Sequence, residues 1–404
     1  ENAGIYLDSP GGTQVPVSVI DAMTECLIYS NANLGGCFKT SQNAEKVCWQ
    51  ARIAMMDFIN ANSEEELIFG QNMTSLTFNL SHALSSQFSP GDEIILTRMD
   101  HDANVSPWLM MARDYKLKVK FLDFDKKSFE FNLSELDNLL TDRTKLICFN
   151  HASNMTGTIN DVKSAAQKAH EAGALIFVDS VQFAPHGLID VQDIGCDFLV
   201  CSPYKFFGPH MGVLWGKGEI LADLKPYKVR PAPDTHPDCL ETGTLSHEGM
   251  AGVTAAVDYF SWIGERIAGT SYCNQTSGVN KRRQNLTAAY SFIKNYEMPI
   301  TRQLIDGLSA LPNITIQGIS KSDCFSRRVP TVSFTIDGYK PREISQELAN
   351  NHIYVWDGHN YAIEPINHLG LMDSGGVIRV GLAHYNTEEE VEKTLKVISN
   401  YLKL

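Results

Sequence analysis

The sequence predicts an α/β chain, with a sheet covered by helices and a smaller α+β unit after it. Two observations carry this. Between about residues 65 and 216, short apolar runs alternate with amphipathic segments, and after residue 245 two long helical stretches lead into a tail of different grammar. A third sets the scale: 404 residues, 43% hydrophobic and 20% charged, is ordinary globular usage with a large core to bury. The expected division is 16–271 for the large unit, and 1–15 plus 272–404 for the small unit with an N-terminal arm.

Pro16 opens a helix over 16–29, with Val19, Met23 and Leu27 on one face. Strands are predicted at 93–97, 118–124, 144–150, 174–179, 197–202 and 212–216, where apolar runs are too short for helices. Leu76, Leu80 and Leu84 mark a packing helix over 74–88, as Val162, Ala165, Ala166 and Ala169 do over 161–172. Beyond 245 come helices at about 247–267 and 278–309, then PTVSFTID at 330–337, which alternates strictly as a strand does. A helix opens at Pro341, GVIRVGL forms another strand, and Thr387 with Glu390 makes a capping box for the last helix.

The formal charge is −13, from 34 basic and 47 acidic residues, which argues against nucleic acid or an anionic membrane as partner. The chain has no apolar run near the roughly 18 residues that span a bilayer, and ENAGIYLDSPGG lacks the order of a secretory leader. A soluble, cytoplasmic protein is expected. The nine cysteines form no CxxC pair and mostly sit in apolar surroundings, so reduced thiols and no metal site are expected. Two glycosylation-type triplets, at Asn72 and Asn154, fall within the site described next and read as chance matches.

The informative stretch is 177–216. Asp179 ends one buried strand, Gln182 follows three residues later, and Lys205 follows the next strand with Ser202 and Tyr204 before it. Ligands of open α/β sheets bind where strands release their carboxyl ends, so these side chains converge on one crevice. A lysine amid Phe206, Phe207 and Gly208 is placed for desolvation and a lowered pKa, as Schiff-base lysines are. Either residue alone is more often a solvated strand end or a turn cap. Together, an amine and a carboxylate across a cleft are what pyridoxal phosphate requires.

Asp179-x-x-Gln182 followed by SPYKFFGP at 202–209 resembles the cofactor signature of the class V aminotransferase superfamily, fold type I pyridoxal-phosphate enzymes. Within it the chain looks most like the cysteine desulfurase and selenocysteine lyase branch and its desulfurase-like relatives. The resemblance runs nearly end to end and implies a large, mainly parallel sheet of the seven-stranded type.

Residue by residue, the resemblance makes Lys205 the lysine that carries the cofactor, Asp179 the partner of its pyridine nitrogen, Gln182 the donor to its phenolic oxygen, and His101 the ring stacked on it. Thr74, Ser75 and Ser202 become phosphate contacts. Tyr204 stands where desulfurases usually have histidine. Thr244, in LETGTLSHEG, matches a residue reaching the neighbouring subunit's phosphate, which implies a homodimer with shared sites. Asn154 matches an asparagine near cofactor and substrate, and Arg379 the arginine that grips the substrate carboxylate. The resemblance thus implies a small amino acid handled through an external aldimine.

One departure stands out. Desulfurases carry a nucleophilic cysteine on a loop before this arginine, but VWDGHNYAIEPINHLGL at 355–371 has none. Tyr361 stands near its place, and His359 and Tyr361 are either acid–base groups or plain lining. DSPGGTQVP near the start and NANLGGCFKTS at 31–41 resemble loops that border the substrate cavity in relatives; Cys37 lies in the second but not at the position of the family thiol, and Cys239 belongs to another segment. Desulfuration, aminotransfer, racemisation and elimination all stay open, as does a non-catalytic scaffold.

Overall fold

The computed structural model describes residues 4–268 and 280–403. The expected boundary between 271 and 272, and Cys273, lie outside them. The arm contributes a short strand, β1 (Ile5–Tyr6). The main sheet is built from β2 (Leu67–Gly70), β3 (Glu93–Thr97), β4 (Lys118–Leu122), β5 (Thr144–Asn150), β6 (Leu175–Asp179), β7 (Phe198–Cys201) and β8 (Gly212–Gly216), in the order β2-β8-β7-β6-β5-β3-β4. It is the seven-stranded, mainly parallel sheet expected: only β8 runs against its neighbours β2 and β7.

Both faces of this sheet are covered, which is why its strands are continuously apolar in sequence. Side chains alternate between two cores. Ile95, Ile147, Phe149, Ile176, Val178 and Leu199 meet helices Lys39–Ile59 and His247–Ala268 on one face. Ile94, Leu96, Leu146, Cys148, Phe177 and Val200 meet helices Met73–Ser85 and Ser106–Tyr115 on the other.

The small unit holds β9 (Ile314–Ile316), β10 (Thr331–Ile336), β11 (Ile353–Tyr354), β12 (Trp356–Gly358) and β13 (Val377–Gly381), four of them in the antiparallel order β12-β13-β10-β9. β1 pairs in parallel with β11, which places the arm on this unit, and Leu7 is buried in its core. The helix Lys281–Ser309 serves both units. Leu286, Ala289, Tyr290 and Ile293 lie in the first core, whereas Ile300, Leu304, Ile305 and Leu308, beyond Pro299, lie in the small unit's core.

The strand expected at 330–337 is present as β10 and is buried along nearly its whole length, because its polar members find partners: the Ser333 hydroxyl donates to the Met155 carbonyl at 2.6 Å. One expectation is corrected. In the helix Val17–Tyr29, Val19 is buried but Leu27 is exposed. The capping box of Thr387 and Glu390 on the last helix is present as expected.

Candidate active site

The carboxyl ends of β3, β5, β6 and β7 open on the same edge of the sheet, and the turns that follow them carry the functional side chains. The small unit and the arm close the opening. The result is a cavity of about 630 Å³ lined by Lys205, Asp179, Gln182, His101, Thr74, Tyr204, Asn154, Tyr361 and Arg379, nine of the residues expected there. Ser75, Ser202, Thr244 and His359 are not among its lining.

Lys205 closes a short 3-10 turn, Pro203–Lys205, directly after β7. Its amine donates to the Pro10 carbonyl of the arm and lies 4.7 Å from the centre of the Tyr204 ring. Burial, followed by the nearby Arg379 cation, pulls its pKa down to about 7 against opposing pulls from Asp8 and Asp179. The amine is therefore neutral about half the time at neutral pH, the state in which it is a nucleophile.

Asp179, at the end of β6, accepts from the Val181 amide at 2.9 Å, and burial raises its carboxyl to about 6. Gln182 is bonded to the Thr331 hydroxyl at 3.0 Å, leaving one end of its amide without a partner among the described residues. Turned either way, that amide presents one free group.

His101 caps the turn after β3: its Nδ1 accepts from the Ala103 amide at 3.0 Å. Burial, then Lys205 and Arg379, press its pKa down to about 3, so the ring is neutral with its proton on Nε2. Asp100 braces this turn, accepting from the Thr97 hydroxyl and from Asn104 Nδ2, whose Oδ1 in turn accepts from Trp108 Nε1 at 3.0 Å. The Tyr361 ring stacks over His101 at 5.6 Å and 16°. Asn360 and Tyr361 take consecutive positive φ values of 54° and 55°. Their backbone carbonyls are held from opposite sides, by Asn154 Nδ2 at 2.8 Å and by the Asp102 amide at 2.7 Å. His359 is exposed, and its Nδ1 accepts from the Tyr361 amide at 3.0 Å.

Arg379 sits on β13, buried, with Nη2 on Asp8 at 2.9 Å and Nη1 on the Asn154 carbonyl at 3.3 Å. Its Nε and the Asn154 Oδ1, like one end of the Gln182 amide, are buried without partners among the described residues and line the cavity; the Ser202 hydroxyl is likewise unpartnered but lies outside that lining. A buried polar atom left so costs about 1–3 kcal/mol, so a cavity holding several is shaped for a polar ligand that satisfies them.

The family model for class-V aminotransferases matches residues 5–394. The chain belongs to that family. It is 34% identical over 411 residues to the aminotransferase-like protein FGM3 of Gibberella zeae, covering 100% of this chain and 96% of that one. It is 31% identical to a probable cysteine desulfurase of Synechocystis, over 97% of this chain and 89% of that one. Among solved structures, the cysteine desulfurase of Thermococcus onnurineus superposes with a TM-score of 0.87 at 26% identity, covering 99% and 95% of the two chains. The fold is fold type I, and the chain is an enzyme of the class-V aminotransferase fold with desulfurase-like relatives.

Asp8, Pro10 and Gly11, in the arm loop that the sequence sets beside the substrate cavity, line it, as do Asn72 of the first triplet and Asn360, which the sequence reading did not single out. Asn72 N-caps Met73–Ser85, accepting from Ser75 N at 2.8 Å and Ser75 Oγ at 3.0 Å. That pair of hydrogen bonds engages the Ser75 hydroxyl and leaves Thr74 to face the cavity. Thr244 is exposed on the surface, in a segment anchored by Glu241, which bridges Arg52 at 2.7 Å and the Phe69 amide at 2.7 Å. Among the described residues no helix is long and apolar enough to cross a membrane.

Proposed function

We propose that this chain is a pyridoxal-phosphate-dependent enzyme acting on a small amino acid, with Lys205 carrying the cofactor. The observation that carries the reading is the buried amine of Lys205, held near neutrality, in one cavity with the buried carboxyl of Asp179. The residues fit such a group. Asp179 would pair with a protonated ring nitrogen, which favours its ionised form, and the free end of the Gln182 amide would meet the phenolic oxygen. Thr74, whose hydroxyl has only the Met73 sulfur at 3.7 Å among the described residues, stands at a helix N-terminus suited to phosphate, with Ser202 buried nearby in sequence to Lys205. When bound, the cofactor supplies a sink for the electrons of a bond broken at the substrate's α-carbon.

The chain's own groups do the rest. Arg379 holds the substrate carboxylate through its unpartnered Nε edge and, with Asn154, fixes which α-carbon bond faces the ring. The Lys205 amine, once freed, takes or returns the α-proton. His101, neutral with its proton on Nε2, packs over the ring and donates rather than accepts.

Thr244 reaches the phosphate of a second copy in this reading, which makes the enzyme a homodimer. The exposed apolar side chains of Val17, Ile20, Ile28 and Tyr29 on the helix Val17–Tyr29 support a covered face. We place the enzyme in the cytoplasm. The segment 355–371 carries no thiol to take up sulfur, so sulfur lost from cysteine would depart as hydrosulfide in an elimination and not as a protein persulfide, and desulfurase activity is weak. Aminotransfer, elimination and racemisation are separated by whether keto-acid formation needs an amino acceptor.

Borohydride reduction of the yellow protein followed by peptide mapping tests the assignment. The label is expected on Lys205. A label on another lysine overturns the assignment to Lys205; no label on colourless protein incubated with pyridoxal phosphate overturns the reading and leaves the non-catalytic scaffold.

A further inference from the structure

The arm does more than close the cavity. Asp8 is bridged in parallel to Gly381, the Gly381 amide donates to the Leu7 carbonyl at 2.7 Å, and the Ser9 hydroxyl donates to the Leu382 carbonyl at 2.9 Å. The arm therefore lies along the strand that bears Arg379. It then reverses at once, with the Gly11 amide donating to the Asp8 carbonyl at 2.9 Å and the Gly12 amide to Ser9 at 3.1 Å. This approach admits no side chain at Gly381, where a Cβ would strike the Pro10 ring, or at Gly11, where it would strike the Asp8 carboxylate. Beyond the turn, Thr13 locks onto the lysine turn: its amide donates to the Tyr204 carbonyl at 3.0 Å and its hydroxyl accepts from the Phe207 amide at 2.7 Å. One short stretch, 8–13, is thus knitted to both Arg379 and Lys205.

Arg379 has five N–H donors in a fixed plane. Asp8 takes one at Nη2 and the Asn154 carbonyl one at Nη1, while Nε has no acceptor among the described residues. A guanidinium held only by a 3.3 Å contact would be free to turn. Held by Asp8 as well, it has one orientation.

We propose that Asp8 is a positioning residue of this site: its carboxylate, fixed by the arm's turn, holds Arg379 so that the unpartnered Nε edge is left for a ligand carboxylate, and balances the Arg379 cation beside Lys205. The inference rests on the functional reading above for the identity of the ligand, but its electrostatic half does not. The charged and titratable groups facing Lys205 are Arg379, Asp8, Asp179, Tyr204 and His101. Those facing Arg379 are Asp8, Tyr204, Tyr6 and Lys205. In both sets Asp8 opposes Arg379, so its removal leaves that cation uncompensated and makes the Lys205 ammonium harder to keep.

The test uses the full chain, freed of small carbonyl compounds, and the variants Asp8→Asn and Asp8→Glu. Lys205 is reductively methylated with formaldehyde across pH 5.5–9.5 as a probe, roughly the span over which a lysine depressed in this way titrates, and its labelling midpoint is read by peptide mapping. The midpoint is expected to fall by about one pH unit in Asp8→Asn, the low end of what a nearby opposite charge contributes, and to return in Asp8→Glu. An unchanged or raised midpoint overturns the proposal whether or not the chain binds pyridoxal phosphate. In loaded protein, KM for the amino acid is expected to rise roughly tenfold or more in Asp8→Asn with a smaller change in kcat, because an unpositioned arginine binds carboxylate poorly in both ground and transition state. A drop in kcat at constant KM overturns the positioning role. Should Asp8→Asn not fold, Asp8→Ser carries the same two measurements.

Discussion

Replacing Lys205 by methionine is expected to stabilise the cofactor-free protein at neutral pH, and the gain should fade as the pH rises. A lysine titrates at 10.5 in an unfolded chain and at about 7 here. Below pH 7 the side chain is charged in both states, and the folded state bears the full cost of a buried ammonium. Between 7 and 10.5 the unfolded chain binds a proton that the folded one does not, so wild-type stability climbs with pH. The depression is three and a half pH units, which at 1.36 kcal/mol each caps the effect at about 5 kcal/mol. Methionine matches the length of the lysine stem and needs no hydration, so little packing is lost. Urea denaturation at pH 6.5, 8 and 9.5, followed by tryptophan fluorescence, measures it. The variant's advantage should be greatest at pH 6.5 and nearly gone at pH 9.5, where at most about 1.5 kcal/mol remains. A variant less stable than wild type, or an advantage that does not move with pH, would refute the claim that Lys205 is held against its charge.

Asp179→Asn should retain bound cofactor but lose most turnover, because a neutral amide cannot keep a ring nitrogen protonated; full activity measured by product formation would remove Asp179 from its role. Glu241→Gln leaves Arg52 buried beside an uncharged partner and should cost about 3 kcal/mol in thermal unfolding, with weaker dimerisation by ultracentrifugation as the Thr244 segment loosens. Incubation with cysteine should give little protein persulfide by mass spectrometry. Robust persulfide mapped to one thiol, and abolished by its change to serine, would reverse the reading of the 355–371 segment.

The central sheet was legible because a strand buried on both faces leaves a continuous apolar run, and β3, β5 and β8 lie where EIILT, TKLICFN and GVLWG stand. The residues around Lys205 were legible because they sit within thirty residues of each other on successive strand ends. The arm's hold on Arg379 was not. Asp8 meets Arg379 across 371 positions, a pairing that no local pattern announces. Nor does the alternation of β10 announce its burial, which comes from the Met155 carbonyl of the other unit accepting from the Ser333 hydroxyl. Leu27 was misplaced because a helical stripe records which side chains are apolar and not which of them a neighbour within one chain covers.

The helix Lys281–Ser309, shared between two cores, governs the order in which the polypeptide can be assembled. As it leaves the ribosome, the large unit has its whole sheet by residue 216, yet its core still lacks Leu286, Ala289, Tyr290 and Ile293. Those side chains come with a helix whose second half is committed to a core not yet made, and that second core takes Ile5 and Leu7 from the arm. Nearly the whole chain must therefore emerge before either unit is sealed, and the arm must wait, unpaired, for a strand made some 350 residues later. Vectorial, unit-by-unit folding is closed to a molecule wired in this way. A fragment ending at residue 268 would carry an open apolar trough and should be captured by chaperones or aggregate, not persist as an independent body.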